Sequence, residues 1–89
     1  MNLNAGWLLR VRAKVYKDLA RFPSKDRERI LQVVESLRLN PLAGDIEKMK
    51  GEENTWRRRV GSNRIFYELV VPDKAIYVFR IERRTSKTY

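Results

Sequence analysis

The sequence predicts an α+β domain, with two N-terminal helices packed on a strongly twisted, mainly antiparallel sheet of about four strands. Three observations carry this expectation. Apolar residues recur at helical spacing between Val15 and Leu37, and the period falls to two from Trp56 onward. Two turn signals, Gly61-Ser62-Asn63 and Pro72-Asp73-Lys74, divide the second half into three β-prone runs. Eighty-nine residues are too few for two independent cores, so residues 1–89 are read as one domain.

Each element has its own signal. Leu8 to Lys14 alternates loosely, with Leu9, Val11 and Ala13 on one side and Leu8, Arg10, Arg12 and Lys14 on the other, which suits an edge strand. Val15, Leu19 and Phe22 follow at i, i+4 and i+7, marking a short helix that Pro23 closes. Ser24 is a natural N-cap for a second helix from about Lys25 to Leu39. Ile30, Val33, Val34 and Leu37 form its apolar stripe, and Asn40-Pro41 ends it. Trp56 to Val60 is a strand that presents Trp56, Arg58 and Val60 on one face and Arg57 and Arg59 on the other. Arg64 to Val71 and Ala75 to Glu82 continue it as a three-stranded meander.

Composition narrows the chemistry. The chain has no cysteine and no histidine, which excludes a thiolate metal site, a zinc hydrolase and a Ser-His-Asp triad. No cofactor is expected. The acids Asp45, Glu47, Glu52 and Glu53 show no metal-ligand or carboxylate-pair spacing. The short apolar run near the N-terminus is interrupted by Arg10, Arg12 and Lys14, so neither a signal peptide nor a membrane span is expected, and the chain reads as cytoplasmic. A net charge of +9 calls for a polyanionic partner. Residues 1–55 carry 11 basic against 8 acidic side chains, whereas residues 56–89 carry 9 against 3, so the second half is where nucleic acid is expected.

That half holds Arg57, Arg59, Arg64, Arg83, Arg84, Lys87 and Tyr89. Three strands of a meander could gather several of these guanidinium groups, with one phenol, around a concave sheet face. Guanidinium groups bind phosphate bidentately, and a cluster with few acids nearby is costly without an anion. The same alternation also occurs on the solvated face of any open antiparallel sheet. If the target is RNA, arginines could stabilise the charge formed when a ribose 2′-hydroxyl attacks its own phosphate, and Tyr89 or a lysine could move the proton. Among the aromatics, Tyr67, Tyr77 and Phe79 are expected in the core rather than stacked on bases. Trp7 and Trp56 are undecided between these two places.

From Lys14 onward the chain resembles the RelE/ParE superfamily of toxins from type II toxin–antitoxin systems. The resemblance lies in Phe22-Pro23 between the helices, Asn40-Pro41 followed by Gly44-Asp45, Lys48-Met49-Lys50-Gly51, Trp56-Arg57-Arg58-Arg59-Val60-Gly61 and Arg64-Ile65-Phe66-Tyr67, in that order. It implies a RelE-like fold and, because the basic set is present, the branch that cuts mRNA in the ribosomal A site. By resemblance Arg57, Arg59 and Arg64 would hold the phosphate, Arg83 would act at the phosphate and leaving oxygen, and Tyr89 would assist proton removal. Arg58, Arg84, Lys87, Lys48 and Lys50 are the further basic residues expected to touch RNA. The partners implied are the ribosome with its mRNA and a cognate acidic antitoxin, in a toxin–antitoxin hetero-oligomer. Two alternatives stand beside this: a ParE-like inhibitor of DNA gyrase that performs no chemistry, and an RNA-binding module that occupies the ribosome without cutting.

Overall fold

The computed structural model describes residues 6–83. Strand β1 (Leu8–Val11) leads into helices α1 (Ala13–Leu19) and α2 (Ser24–Ser36), followed by β2 (Ile46–Lys48), β3 (Thr55–Val60), β4 (Asn63–Val70) and β5 (Ala75–Arg83). The five strands form one sheet in the order β1-β5-β4-β3-β2. The meander β3-β4-β5 is antiparallel as expected, and β2 adds to it antiparallel. Two features differ from the sequence expectation. The sheet has five strands instead of about four, because Ile46–Lys48 pairs with β3, and β1 lies parallel to β5.

Local boundaries shift for identifiable reasons. The first strand ends at Val11, since the Arg12 N–H donates to Val78 O and the chain turns into a helix at Ala13. Pro23, not Ser24, occupies the N-cap of α2; Ser24 is the first helical residue, and Arg27 N–H donates to the Pro23 carbonyl. The helix stops at Ser36 rather than Leu39, and the tighter bonds Arg38 N–H to Glu35 O and Leu39 N–H to Ser36 O close its end. The β3–β4 hairpin turns on Gly61 and Ser62 alone, so Asn63 belongs to the strand and pairs with Val60. Gly61 has φ +61° and Ser62 does not enter positive φ, the pattern of a II′ turn that wants glycine at its first central position.

Both helices cover one face of the sheet, α1 against β5 and α2 against β3. Val15, Leu19, Ile30, Val34 and Leu37 bury against Ile65, Tyr67 and Leu69 of β4 and Ile76, Val78 and Ile81 of β5. Trp7 and Trp56 pack against this core from its rim. The pairing of β4 with β5 carries one irregularity. Phe66 faces Arg80 while Tyr67 faces Val78, so Phe79 is an extra, bulged residue. Without it, Ile81 would leave the core and Arg80 would enter it, because alternation has a period of two.

Tyr67 anchors the connection after α2. Its ring is fully buried and its hydroxyl donates to Pro41 O at 2.5 Å. Burial pushes the phenol up to about 12 from an ordinary value of 10. The neutral phenol is therefore favoured by the fold; this contribution is complete below pH 10 and is lost as pH rises from 10 through 12. Tyr67→Phe is expected to cost about 1–3 kcal/mol at neutral pH, by leaving Pro41 O without its donor. Denaturant melts at pH 7 and at pH 11–12 check both points, since the variant lacks the Tyr67 part of the alkaline loss.

Candidate nucleic-acid interface

Strand alternation and register define the uncovered face of the sheet. Arg57 and Arg59 of β3 point away from the helices, and the hairpin sets Arg59 directly opposite Arg64 and Arg57 opposite Phe66. Like charges placed opposite one another across two strands repel. The three guanidinium groups nevertheless converge on one small hollow of about 20 Å³, lined also by Asp45 and Glu47. It has room for about one water.

Carboxylates offset that repulsion, which corrects the expectation that acids are scarce nearby. Arg57 donates through Nε at 3.1 Å and Nη2 at 2.5 Å to Glu47 Oε1. Arg59 Nε lies 3.6 Å from Asp45 Oδ2, and Arg64 Nη1 lies 3.5 Å from Glu82 Oε1. Glu82 also accepts from Arg80 Nη2 at 2.8 Å. The hydrogen bond and charge of Arg57 hold the Glu47 carboxyl below its ordinary value of 4.5. Each arginine thus has a carboxylate where an anion would sit, and the carboxylates come from β2, its approach and β5. Glu47→Gln is expected to strengthen RNA binding by roughly two- to five-fold, because a solvent-screened surface ion pair restrains its partner only weakly. Filter binding at two salt concentrations checks this; weaker binding would mean that Glu47 positions Arg57 productively.

The remaining expected site residues divide. Arg58 lies on the helix side with Trp56 and Val60, and its Nη1 donates to Ala43 O at 3.2 Å. It fills the space under Gly44, whose φ of +90° and close approach leave no room for a side chain. Arg58 is therefore a structural prop and is not on the arginine face. Arg83 ends β5 opposite Asn63, on the helix side, with its guanidinium 5.8 Å from the centre of the Phe22 ring. The structure does not bring it to Arg57, Arg59 and Arg64. Lys48 is exposed opposite Trp56, so it too lies off the arginine face, and Lys50 is exposed just beyond β2. Arg84, Lys87 and Tyr89 lie outside the described residues.

The aromatics also divide. Tyr67 belongs to the core as expected, and Trp56, which the sequence leaves undecided, packs against it, but Tyr77 and Phe79 do not. They are half-buried on the open face, beside Phe66. The sequence reading missed Arg80 as well, which lies over the Phe66 ring at 5.1 Å. Tyr77 and Phe79 alternate with the buried Ile76 and Val78, and the bulge at Phe79 adds Arg80 to the same face.

The comparisons agree with this architecture. The sequence model of a family described as the ParE toxin of type II toxin–antitoxin systems matches residues 9–87. A toxin-described protein of Methanocaldococcus jannaschii, RelE1, is 30% identical over 77 residues, spanning 83% of this chain and 86% of that one. The archaeal RelE–RelB complex from Pyrococcus horikoshii OT3 superposes with a TM-score of 0.80 at 23% identity, covering 92% of this chain and 99% of its counterpart. The RelB–RelE complex from Methanococcus jannaschii gives a TM-score of 0.69 at 32% identity, covering 83% and 88%. An α+β sheet with an arginine-bearing open face, joined to this family match, defines the class. The chain belongs to the RelE/ParE superfamily of toxins of type II toxin–antitoxin systems. Among the described residues no helix is long and apolar enough to cross a membrane.

Proposed function

We propose that this toxin is a ribosome-dependent mRNA endonuclease that cuts in the A site. The observation that carries the proposal is the convergence of Arg57, Arg59 and Arg64 on one open sheet face, each held by a carboxylate that a phosphate could replace. Three fixed guanidinium groups can neutralise a phosphorane in a way that a mere binder does not require. In the proposed reaction the ribose 2′-oxygen loses its proton and attacks the adjacent phosphorus. The bond to the 5′-oxygen of the next nucleotide breaks, and a proton passes to that oxygen. The products are a 2′,3′-cyclic phosphate and a 5′-hydroxyl. The family resemblance supplies Tyr89 for the first proton and Arg83 for the leaving oxygen, with Arg84 and Lys87 along the RNA backbone. For this role Arg83 would leave the Phe22 ring when RNA binds.

The toxin is expected to be held inactive by an acidic antitoxin, since the structural relatives from Pyrococcus and Methanococcus are complexes with RelB. A gyrase-inhibiting role is the second reading, favoured by the ParE description of the matching family. Primer extension on a defined mRNA in a purified translation reaction, with and without ribosomes, separates the two. Codon-positioned cuts that need ribosomes are expected, falling roughly 100- to 10,000-fold in an Arg83→Ala/Tyr89→Phe variant. An uncut message together with loss of gyrase supercoiling would transfer the assignment to the second reading.

A further inference from the structure

A row of aromatic side chains lies beside the arginines, and the proposed cleavage chemistry makes no use of it. Phe66 stands directly opposite Arg57 and two residues along β4 from Arg64. Its ring lies 6.4 Å from that of Phe79, which lies 6.3 Å from that of Tyr77. The planes are tilted by 46° and 34°, so the rings are not stacked on one another. They floor an open hollow of about 470 Å³ whose rim carries Arg12, Glu52 and Glu68. Ligand-sized hollows fall in the range of about 300–1,000 Å³. Phe66 is buried beneath Arg80, but Tyr77 and Phe79 are half-exposed on a sheet face that ordinarily carries polar residues, so they call for a partner.

The chain takes an unusual step to set a cation beside this row. The bulge at Phe79 lets Phe79 and Arg80 reach the open face together, then restores Ile81 to the core. Arg80 adds a planar cation over Phe66, itself able to stack. One step of two residues along β4, about 7 Å, separates Arg64 from Phe66. That is comparable with the span from a phosphate to the base of the same nucleotide. The rim offers both acceptors, Glu52 and Glu68, and donors, Arg12 and Arg80, as an unpaired base edge requires.

We infer that Tyr77 and Phe79, together with the Arg80 guanidinium that lies over the buried Phe66 ring, form a platform on which the toxin stacks a nucleobase of single-stranded RNA next to the phosphate held by Arg57, Arg59 and Arg64. The inference rests on RNA being the substrate, as proposed above, and adds a base-binding subsite to it. Aromatic rows on sheet faces bind bases in this way because every base has a π-face. An apolar peptide helix fits less well, since both signs of charge stand at the rim and Phe66 on the floor pairs across the strands with Arg57 of the arginine hollow.

The test is equilibrium binding of the full chain to a short 2′-O-methyl RNA, which cannot be cut, and to an abasic strand of the same length. The native chain is expected to bind the intact strand roughly 10-fold more tightly. Tyr77→Phe should keep that ratio, and Tyr77→Leu and Phe79→Leu should bring it close to one, with circular dichroism confirming the fold. Equal binding of both strands by the native chain would overturn the inference, as would a base effect that survives in both leucine variants. Loss of antitoxin binding in Tyr77→Leu with the base effect intact would also overturn it, by assigning the row to a protein partner. Because the strand is uncuttable, this result is independent of the ribosome assay: a toxin that fails to cut can still show base-dependent binding, and one that cuts can show none.

Discussion

Arg64→Ala is expected to lower ribosome-dependent cleavage roughly 100- to 1,000-fold, with the melting temperature unchanged or slightly raised. The two halves of this expectation have separate physical sources. Arg64 is the most enclosed of the three converging arginines, with its side chain 24% exposed, and it stands directly opposite Arg59. Removing it deletes a preorganised charge at the place where the phosphorane would form. It also removes a like-charge repulsion from the folded state, and the lost contact with Glu82 is a partly exposed ion pair of small value. Arg64→Lys should recover only part of the activity, because an ammonium keeps the charge but not the bidentate geometry. The slope of log affinity against log salt for single-stranded RNA should become shallower by about 0.7 for the lost phosphate contact. Primer extension, a thermal melt and a salt titration check the three parts. If activity and melting temperature fell together, Arg64 would be a structural residue and the phosphate site would have to lie elsewhere.

What the sequence revealed depended on how local each signal was. Alternation from Trp56 to Val60, a glycine able to take positive φ and a β-prone run after it were enough to place Arg57, Arg59 and Arg64 on one face. The helix stripe of Ile30, Val34 and Leu37 was legible for the same reason. Strand β2 was not, because Ile46–Lys48 is too short to show a period. Its absence from the reading hid the acids, for Glu47 lies ten residues before Arg57 and reaches it only through the β2–β3 pairing. The parallel seat of β1 was hidden as well, since which strand a segment joins is decided by distant packing and not by its own pattern. The bulge had the largest consequence. One inserted residue brought Arg80 to the open face and turned Arg83 away from the arginine face, whereas Tyr77 and Phe79 reach the open face by simple alternation with the buried Ile76 and Val78.

Ile76→Ala and Tyr77→Leu make that division of faces measurable at two neighbouring positions of β5. Ile76 is fully buried and faces Leu69 across the strands, whereas Tyr77 is half-buried and faces Glu68 on the open side. Truncating a buried isoleucine to alanine costs about 2–5 kcal/mol, from lost transfer energy and the cavity left behind. A domain of this size has a total stability of only about 5–13 kcal/mol. The alanine variant is therefore expected to lose roughly 8–40 °C in melting temperature, at about 4–8 °C per kcal/mol. Tyr77→Leu keeps apolar bulk on a face that no helix covers, and it should cost less than about 1.5 kcal/mol. The two variants should separate in function too. Ile76→Ala should reduce every activity together, in proportion to the unfolded fraction. Tyr77→Leu should stay folded and lose only the dependence of binding on bases. If the order of the two melting temperatures were reversed, the helices would have to cover the opposite face, and the arginine hollow would be buried beneath them. The exposure of Arg59 and the carboxylates around it argue against that arrangement, because three charged pairs in a core would each carry a desolvation penalty of several kcal/mol.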